Sequence, residues 1–191
     1  MELSLESPIL YESERLIYKE MQVGVDEPFL IELFNDPLCL RFIGFRTLTC
    51  TENAAKYIES LNKSFRDNGF SMLKVCRKEA PDVPIGTSGF VARRPNEHDA
   101  DVNLGYAFME SGRGQGYALE SSIASIQYIA KKLDTKRFGA NVNNDNQRSS
   151  SLLTKIGFQY SRTIKMDNCE TPLDIFILEI QNLKTDVLLR K

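Results

Sequence analysis

Histidine and cysteine are scarce in this sequence. Its 191 residues hold one histidine, His98, and four cysteines, Cys39, Cys50, Cys76 and Cys169. No two of the cysteines form a Cys-x-x-Cys pair, and one imidazole adds little, so no metal site is expected. Scattered thiols without a disulfide framework point to a reducing compartment, the cytoplasm. A basic excess is also missing. Lys and Arg number 24 against 26 Asp and Glu, for a net charge of −2, which argues against nucleic acid as a partner. No apolar run approaches the roughly 20 residues that span a bilayer. The segment Met1 to Glu6 lacks a basic stretch followed by an apolar core, so neither a signal peptide nor a membrane partner is expected. No repeat, low-complexity stretch or linker divides the chain. One domain over 1–191, with its core at about 13–180, is the expected organisation.

What is present alternates between two periods. Residues 1–13 read as an extended or poorly ordered lead-in, and Arg15 to Lys19 as a first strand. Asp26-Glu27-Pro28 starts a helix with Phe29, Leu30, Leu33 and Phe34 on its apolar face, and Asn35-Asp36-Pro37 stops it. Thr51 opens a second helix, closed by Asn68-Gly69. Strands follow over Phe70–Cys76 and Ile85–Val91, with Ala80 to Pro84 as the turn between them. Arg93 to Asp99 reads as a hairpin loop. In the next strand Val102, Leu104, Tyr106 and Phe108 share one face, and Gly105 signals a bulge or a close approach. A helix with a stripe of Leu119, Ile123, Ile126, Ala130 and Leu133 comes after it. Then come a strand from Lys136 to Val142, a short helix from Gln147 to Ile156 ended by Gly157, two strands over Phe158–Met166 and Leu173–Ile180, and a tail. The order βααβββαβαββ implies an α/β (α+β) fold, a mixed, mostly antiparallel sheet of about seven strands with helices on both faces.

The stretch Phe108 to Glu120 carries the strongest chemical signal. It runs from strand, through glycines at 112, 114 and 116, into a helix. Such a turn offers unpaired N–H groups and the positive end of a helix dipole, and glycine lets a phosphate approach the backbone. It is not a Walker A loop, which would end in Gly-Lys-Ser/Thr. It is not a dinucleotide fingerprint, because Tyr117 or Leu119 stands where the third glycine should be. What remains is Arg113-x-x-Gly116-x-Ala118, which a plain strand–helix turn would also satisfy.

Arg113-x-x-Gly116-x-Ala118 after a strand containing Gly105-Tyr106-x-Phe108 resembles the acetyl-CoA segment of the GNAT superfamily of N-acetyltransferases. Asn146-Gln147-Arg148-Ser149 followed by Lys155-Ile156-Gly157-Phe158 resembles a second block of that family, in the same order and with one helix and one strand between. Glu14-Arg15-Leu16 and Asn35-Asp36-Pro37 are similar to the branch containing ribosomal-protein N-terminal acetyltransferases. The likeness spans about residues 13–180 and implies the GNAT acyl-CoA N-acyltransferase fold, in which parallel strands 4 and 5 splay apart around the pantetheine arm of the co-substrate.

By this resemblance Ala107 and Phe108 pair with that arm. The N–H groups of Arg113, Gly114, Gln115, Gly116, Tyr117 and Ala118 hold the pyrophosphate, and Asn146 bonds the arm from the other side, besides capping its helix. The implied reaction moves acetyl from acetyl-CoA to a primary amine, with a backbone N–H near Phe108 for the oxyanion. Two features depart from the family. Asn103 stands where relatives carry a glutamate base, and an amide cannot take a proton; Asp101, on the same face, is the replacement candidate, with Glu97 and His98 behind it. Leu152 and Leu153 stand where relatives carry a tyrosine acid. Ser149 remains to protonate the thiolate or, preferably, to orient the arm. Tyr106 reads as core, and Tyr117 and the pair Arg93 and Arg94 as further candidate contacts. The acceptor, a peptide or small-molecule amine, is expected near residues 34–48, with Phe42, Phe45 and Arg46, and near 166–173. The assembly is left open to a homodimer. A non-catalytic acyl-CoA-binding module and a nucleotide-phosphate binder are the competing readings.

Overall fold

The computed structural model describes residues 7–43, 48–92, 100, 102–165 and 171–188. Among them one mixed sheet runs β1 (Ile9–Glu12), β2 (Leu16–Lys19), β3 (Met72–Arg77), β4 (Ala80–Ala92), β5 (Val102–Phe108), β6 (Arg137–Asn143), β8 (Leu173–Glu179), β7 (Gln159–Ile164). Every neighbouring pair is antiparallel except β5 and β6. The sheet has eight strands because β1 falls within the expected lead-in. Tyr11 anchors it: its ring stacks at 4.2 Å on both Tyr18 and Tyr128, and its hydroxyl meets Ser125 Oγ at 2.9 Å.

Three other expectations are corrected. Ala80 to Pro84 is not a turn but the start of β4. Register shifts flank Cys76, which pairs with Pro84, and a bulge is where a strand tolerates a residue without an N–H. Asn35-Asp36-Pro37 ends α1 (Glu27–Asn35) but also opens α2 (Pro37–Ile43). Asp36 Oδ1 accepts the N–H groups of Leu38 at 2.9 Å and Cys39 at 3.3 Å, and Pro37 fits a first helical position. Gly105 makes no bulge: β4 and β5 keep register throughout. A Cβ at Gly105 would lie 3.2 Å from Met72 Sδ, so the close approach there is that of a side chain.

Alternation along β5 sorts its residues between two helical layers, as the sequence implied. Ala107 packs with α1 and α3 (Thr51–Asn68) around Met21, Leu30, Leu33 and Ile58. Val102 and Leu104 pack with α4 (Tyr117–Leu133) and α5 (Gln147–Ile156) around Ile123, Ile126, Phe138 and Leu153. Leu133, expected in the buried stripe, is exposed, and Ile129 is buried instead. The chain end is less of a tail than expected, since Val187 is buried in the same core as Ile126.

Candidate active site

The two parallel strands stay together only briefly. Val102, Asn103 and Leu104 pair with Phe138, Gly139 and Ala140. Beyond Leu104, β5 continues to Phe108 on β4 alone, and β6 continues to Asn143 on β8 alone. The strands thus part, and a cleft of about 1050 Å³ opens between them. Its walls are β5 from Asn103 to Phe108, β6 from Ala140 to Asn143, the start of α5, the glycine-rich loop, and α2.

Strand geometry decides which backbone groups face the cleft. Met109 donates its N–H to Ile85 O of β4 at 3.0 Å. Alternation turns the N–H groups of Phe108 and Tyr106 the other way, towards the gap. The N–H and C=O of Ala107 point back at β4, where a Cβ on Gly86 would lie 2.5 Å from the Ala107 carbonyl oxygen. Phe108 therefore offers the gap a backbone donor, whereas Ala107 contributes only its side chain to the wall.

The loop presents a concentration of free donors. Glu110–Gly112 makes one 3-10 turn, in which Arg113 N–H is used on Glu110 O at 3.1 Å. Among the described residues, the N–H groups of Gly114, Gln115 and Gly116 meet no acceptor, and α4 begins without a side-chain cap. Gly116, at φ 78°, is the left-handed residue that turns the chain into α4. The first-turn N–H groups of Tyr117 and Ala118 join the same set. Of the residues expected to hold the phosphates, only Gln115 does not line the cleft, and the rest do.

Arg15, read from the sequence only as a strand start and part of Glu14-Arg15-Leu16, sets the loop's orientation. Arg15 Nη1 donates to Gln115 O at 3.0 Å, and its guanidinium lies 4.6 Å from the Tyr117 ring centre. A trans peptide carries its C=O and N–H on opposite sides, so holding the Gln115 carbonyl aims the Gly116 N–H away from Arg15. Arg15 is itself fixed by Glu120, a carboxylate only 3% exposed, which accepts Arg15 Nε at 2.7 Å, Arg15 N at 2.8 Å and Ser13 Oγ at 2.7 Å. The available signal was a cation in the first strand and a carboxylate in the first turn of the later helix. Nothing local says that they meet.

Across the cleft, Asn146 caps α5 by accepting Ser149 N–H on Oδ1 at 3.2 Å. The cap needs the oxygen, so Nδ2 is left over as a donor at the cleft wall. Ser149 Oγ is 2.7 Å from the Tyr106 hydroxyl. Tyr106 is thus no simple core residue: its ring is half-buried and its hydroxyl reaches across the parting strands. Burial pushes its pKa up to about 12, against a smaller lowering by the Ser149 bond. Leu152 lines the cleft and Leu153 is buried, both apolar as read. Asn103 lines the cleft on the opposite face of β5. Asp101, Glu97, His98, Arg93, Arg94, Phe45 and Arg46 lie outside the described residues, as does the hairpin segment 166–170. No cluster of metal-ligating side chains occurs among the described residues.

The family model for the acetyltransferase (GNAT) domain matches residues 15–159. The chain is 27% identical over 175 residues to the uncharacterized N-acetyltransferase YoaA of Bacillus subtilis, covering 91% of this chain and 96% of that protein. Its fold is similar to that of RimL, a ribosomal L7/L12 alpha-N-protein acetyltransferase, with a TM-score of 0.76 at 19% identity over 94% of this chain and 98% of that one. A second RimL structure, in complex with coenzyme A, aligns with a TM-score of 0.68 at 18% identity, over 92% and 99% of the two chains.

Proposed function

From the premise that the chain belongs to the GNAT acetyltransferase family and is an acyltransferase, we propose that it moves acetyl from acetyl-CoA to a primary amine by direct attack in a ternary complex. The observation that carries this reading is the row of N–H groups from Gly114 to Ala118, unpaired within the described chain, beside a sheet that parts after Leu104. A diphosphate needs several donors at once, and the loop with the helix start supplies them. The arm then lies along β5, bonded by the gap-facing N–H of Phe108 or Tyr106 and by Asn146 Nδ2.

The amine must be neutral to attack, and free amines have pKa values of about 8 at a chain terminus and about 10 on lysine, so a base is required. Asn103 cannot serve, which leaves Asp101 as the candidate. The gap-facing Phe108 N–H is the donor for the tetrahedral oxyanion. For the acceptor we favour a peptide N-terminus, because RimL is named for that chemistry; a small-molecule amine is the other outcome. The free thiols Cys39, Cys50 and Cys76 fit action in the cytoplasm. Among the described residues no helix is long and apolar enough to cross a membrane.

Calorimetry with acetyl-CoA, coenzyme A and ATP, followed by an acetylation screen over peptides and small amines, tests the reading. Acetyl-CoA binding with turnover supports it. Binding without turnover on any amine would make the chain an acyl-CoA-binding module, and preference for ATP would overturn the acetyl-CoA assignment.

A further inference from the structure

We propose that Tyr106 is a positioning residue for the departing thiolate: it donates to Ser149 Oγ and thereby aims the Ser149 hydroxyl proton into the cleft. This rests on the acetyltransferase reading above. The two oxygens are 2.7 Å apart, and the residues come from opposite walls of the gap, β5 and the first turn of α5. A phenol is far more acidic than an alkyl hydroxyl, so Tyr106 is the donor of the pair. With its pKa pushed up to about 12 by burial, Tyr106 keeps its proton at neutral pH and stays a donor. Among the described residues Ser149 Oγ has no second partner, so its own proton is free. The Ser149 backbone is fixed by the Asn146 cap at 3.2 Å. The serine is therefore held at both its main chain and its oxygen.

The chemistry needs a donor there. Attack by the amine forms the C–N bond and the tetrahedral oxyanion, and collapse of the oxyanion breaks the C–S bond and sends its electron pair to sulfur. A hydrogen bond from Ser149 stabilises the resulting anion, and the positive end of α5 adds to it. A hydroxyl that accepts from Tyr106 is polarised into a better donor. The proton that sulfur finally carries is balanced by the one that the amine nitrogen gives up, exchanged through solvent. Leu152 and Leu153 offer no acid, so the proton donor in the first turn of α5 is the Ser149 hydroxyl held by Tyr106.

The test is a double-mutant cycle on the full chain with Tyr106→Phe, Ser149→Ala and both together, using the best amine from the screen. Each single change is expected to lower kcat about tenfold, as for one transition-state hydrogen bond, with the Kd for coenzyme A and the melting temperature nearly unchanged. The double variant should be no slower than Ser149→Ala alone. Ser149→Thr should recover part of the rate, and an acetyl thioester of an acidic aromatic thiol should shrink every deficit. Losses that multiply in the double variant, or a Tyr106→Phe protein with unchanged kcat, overturn the proposal. So does a loss that appears only in coenzyme A affinity. A wild-type protein that acetylates no amine overturns the acetyltransferase reading together with this one, and is told apart because it fails before any variant is compared.

Discussion

Arg113 Nη2 lies 2.5 Å from Asp36 Oδ1, tying the glycine-rich loop to the junction of α1 and α2. The same carboxylate oxygen caps α2 through Leu38 and Cys39. One acid thus fixes the start of α2 and the first residue of the glycine-rich loop. The Arg113 guanidinium holds the Asp36 carboxyl below its ordinary pKa, with the two backbone N–H groups adding to the effect.

Asp36→Ala should cost about 1 kcal/mol through loss of the cap, with a small further amount from the partly exposed pair, seen as a lower midpoint in chemical denaturation. The sign of its pH dependence follows from the lowered pKa. Stability from Asp36 is complete above the unfolded value of about 3.9 and is lost as pH falls through the lower folded value. The difference between wild type and variant should be full at pH 6 and shrink below about pH 4. An equal difference at pH 6 and pH 3 would show that the charge plays no part.

Gly116→Val should weaken coenzyme A binding by roughly tenfold or more, because a β-branched residue at a φ of 78° is strained and its side chain takes the space a phosphate needs. Calorimetry reads the affinity and circular dichroism the fold. Retained affinity in a folded variant would reduce the loop to a simple turn.

Asn146→Asp separates capping from ligand binding. Aspartate caps as well as asparagine, so the melting point should hold, while the Nδ2 donor is lost and coenzyme A affinity falls severalfold. Unchanged affinity would leave Asn146 as a cap alone.

Asp101→Asn should lower kcat/KM and abolish the acidic limb of its pH profile, if Asp101 is the base that Asn103 cannot be. An unaltered profile directs the search to Glu97 and His98.

The glycine-rich end of the cleft was legible because its structure is local. Strand, glycine turn and helix start are consecutive residues, and Gly116 and Gly157 both take the left-handed conformations their positions imply. Asn146 was readable as a cap for the same reason. Tyr106 was read as core because alternation places it on the apolar face of β5, and it does pack against the core there, but its hydroxyl contact was missed. Periodicity carries no information about a partner hydroxyl 43 residues on. Strand β1 was missed because its stability comes from Tyr18 and Tyr128 rather than from its own four residues. Asp36-Pro37 was read as a stop alone, since the signals that end one helix also begin another.

The sequence by itself determined the order of elements from α3 to β8, the face each β5 residue would take, and the loop from Arg113 to Ala118, since all three depend on neighbours within a few residues, whereas β1 and α2 escaped it. Only the tertiary structure decided that Arg15 would hold that loop through Gln115 and Glu120, that Asp36 would bridge it to α2, and that Tyr106 would meet Ser149. Those contacts arise where the sheet order brings distant segments together, and the parting of β5 from β6 after Leu104 gives them a cleft to line.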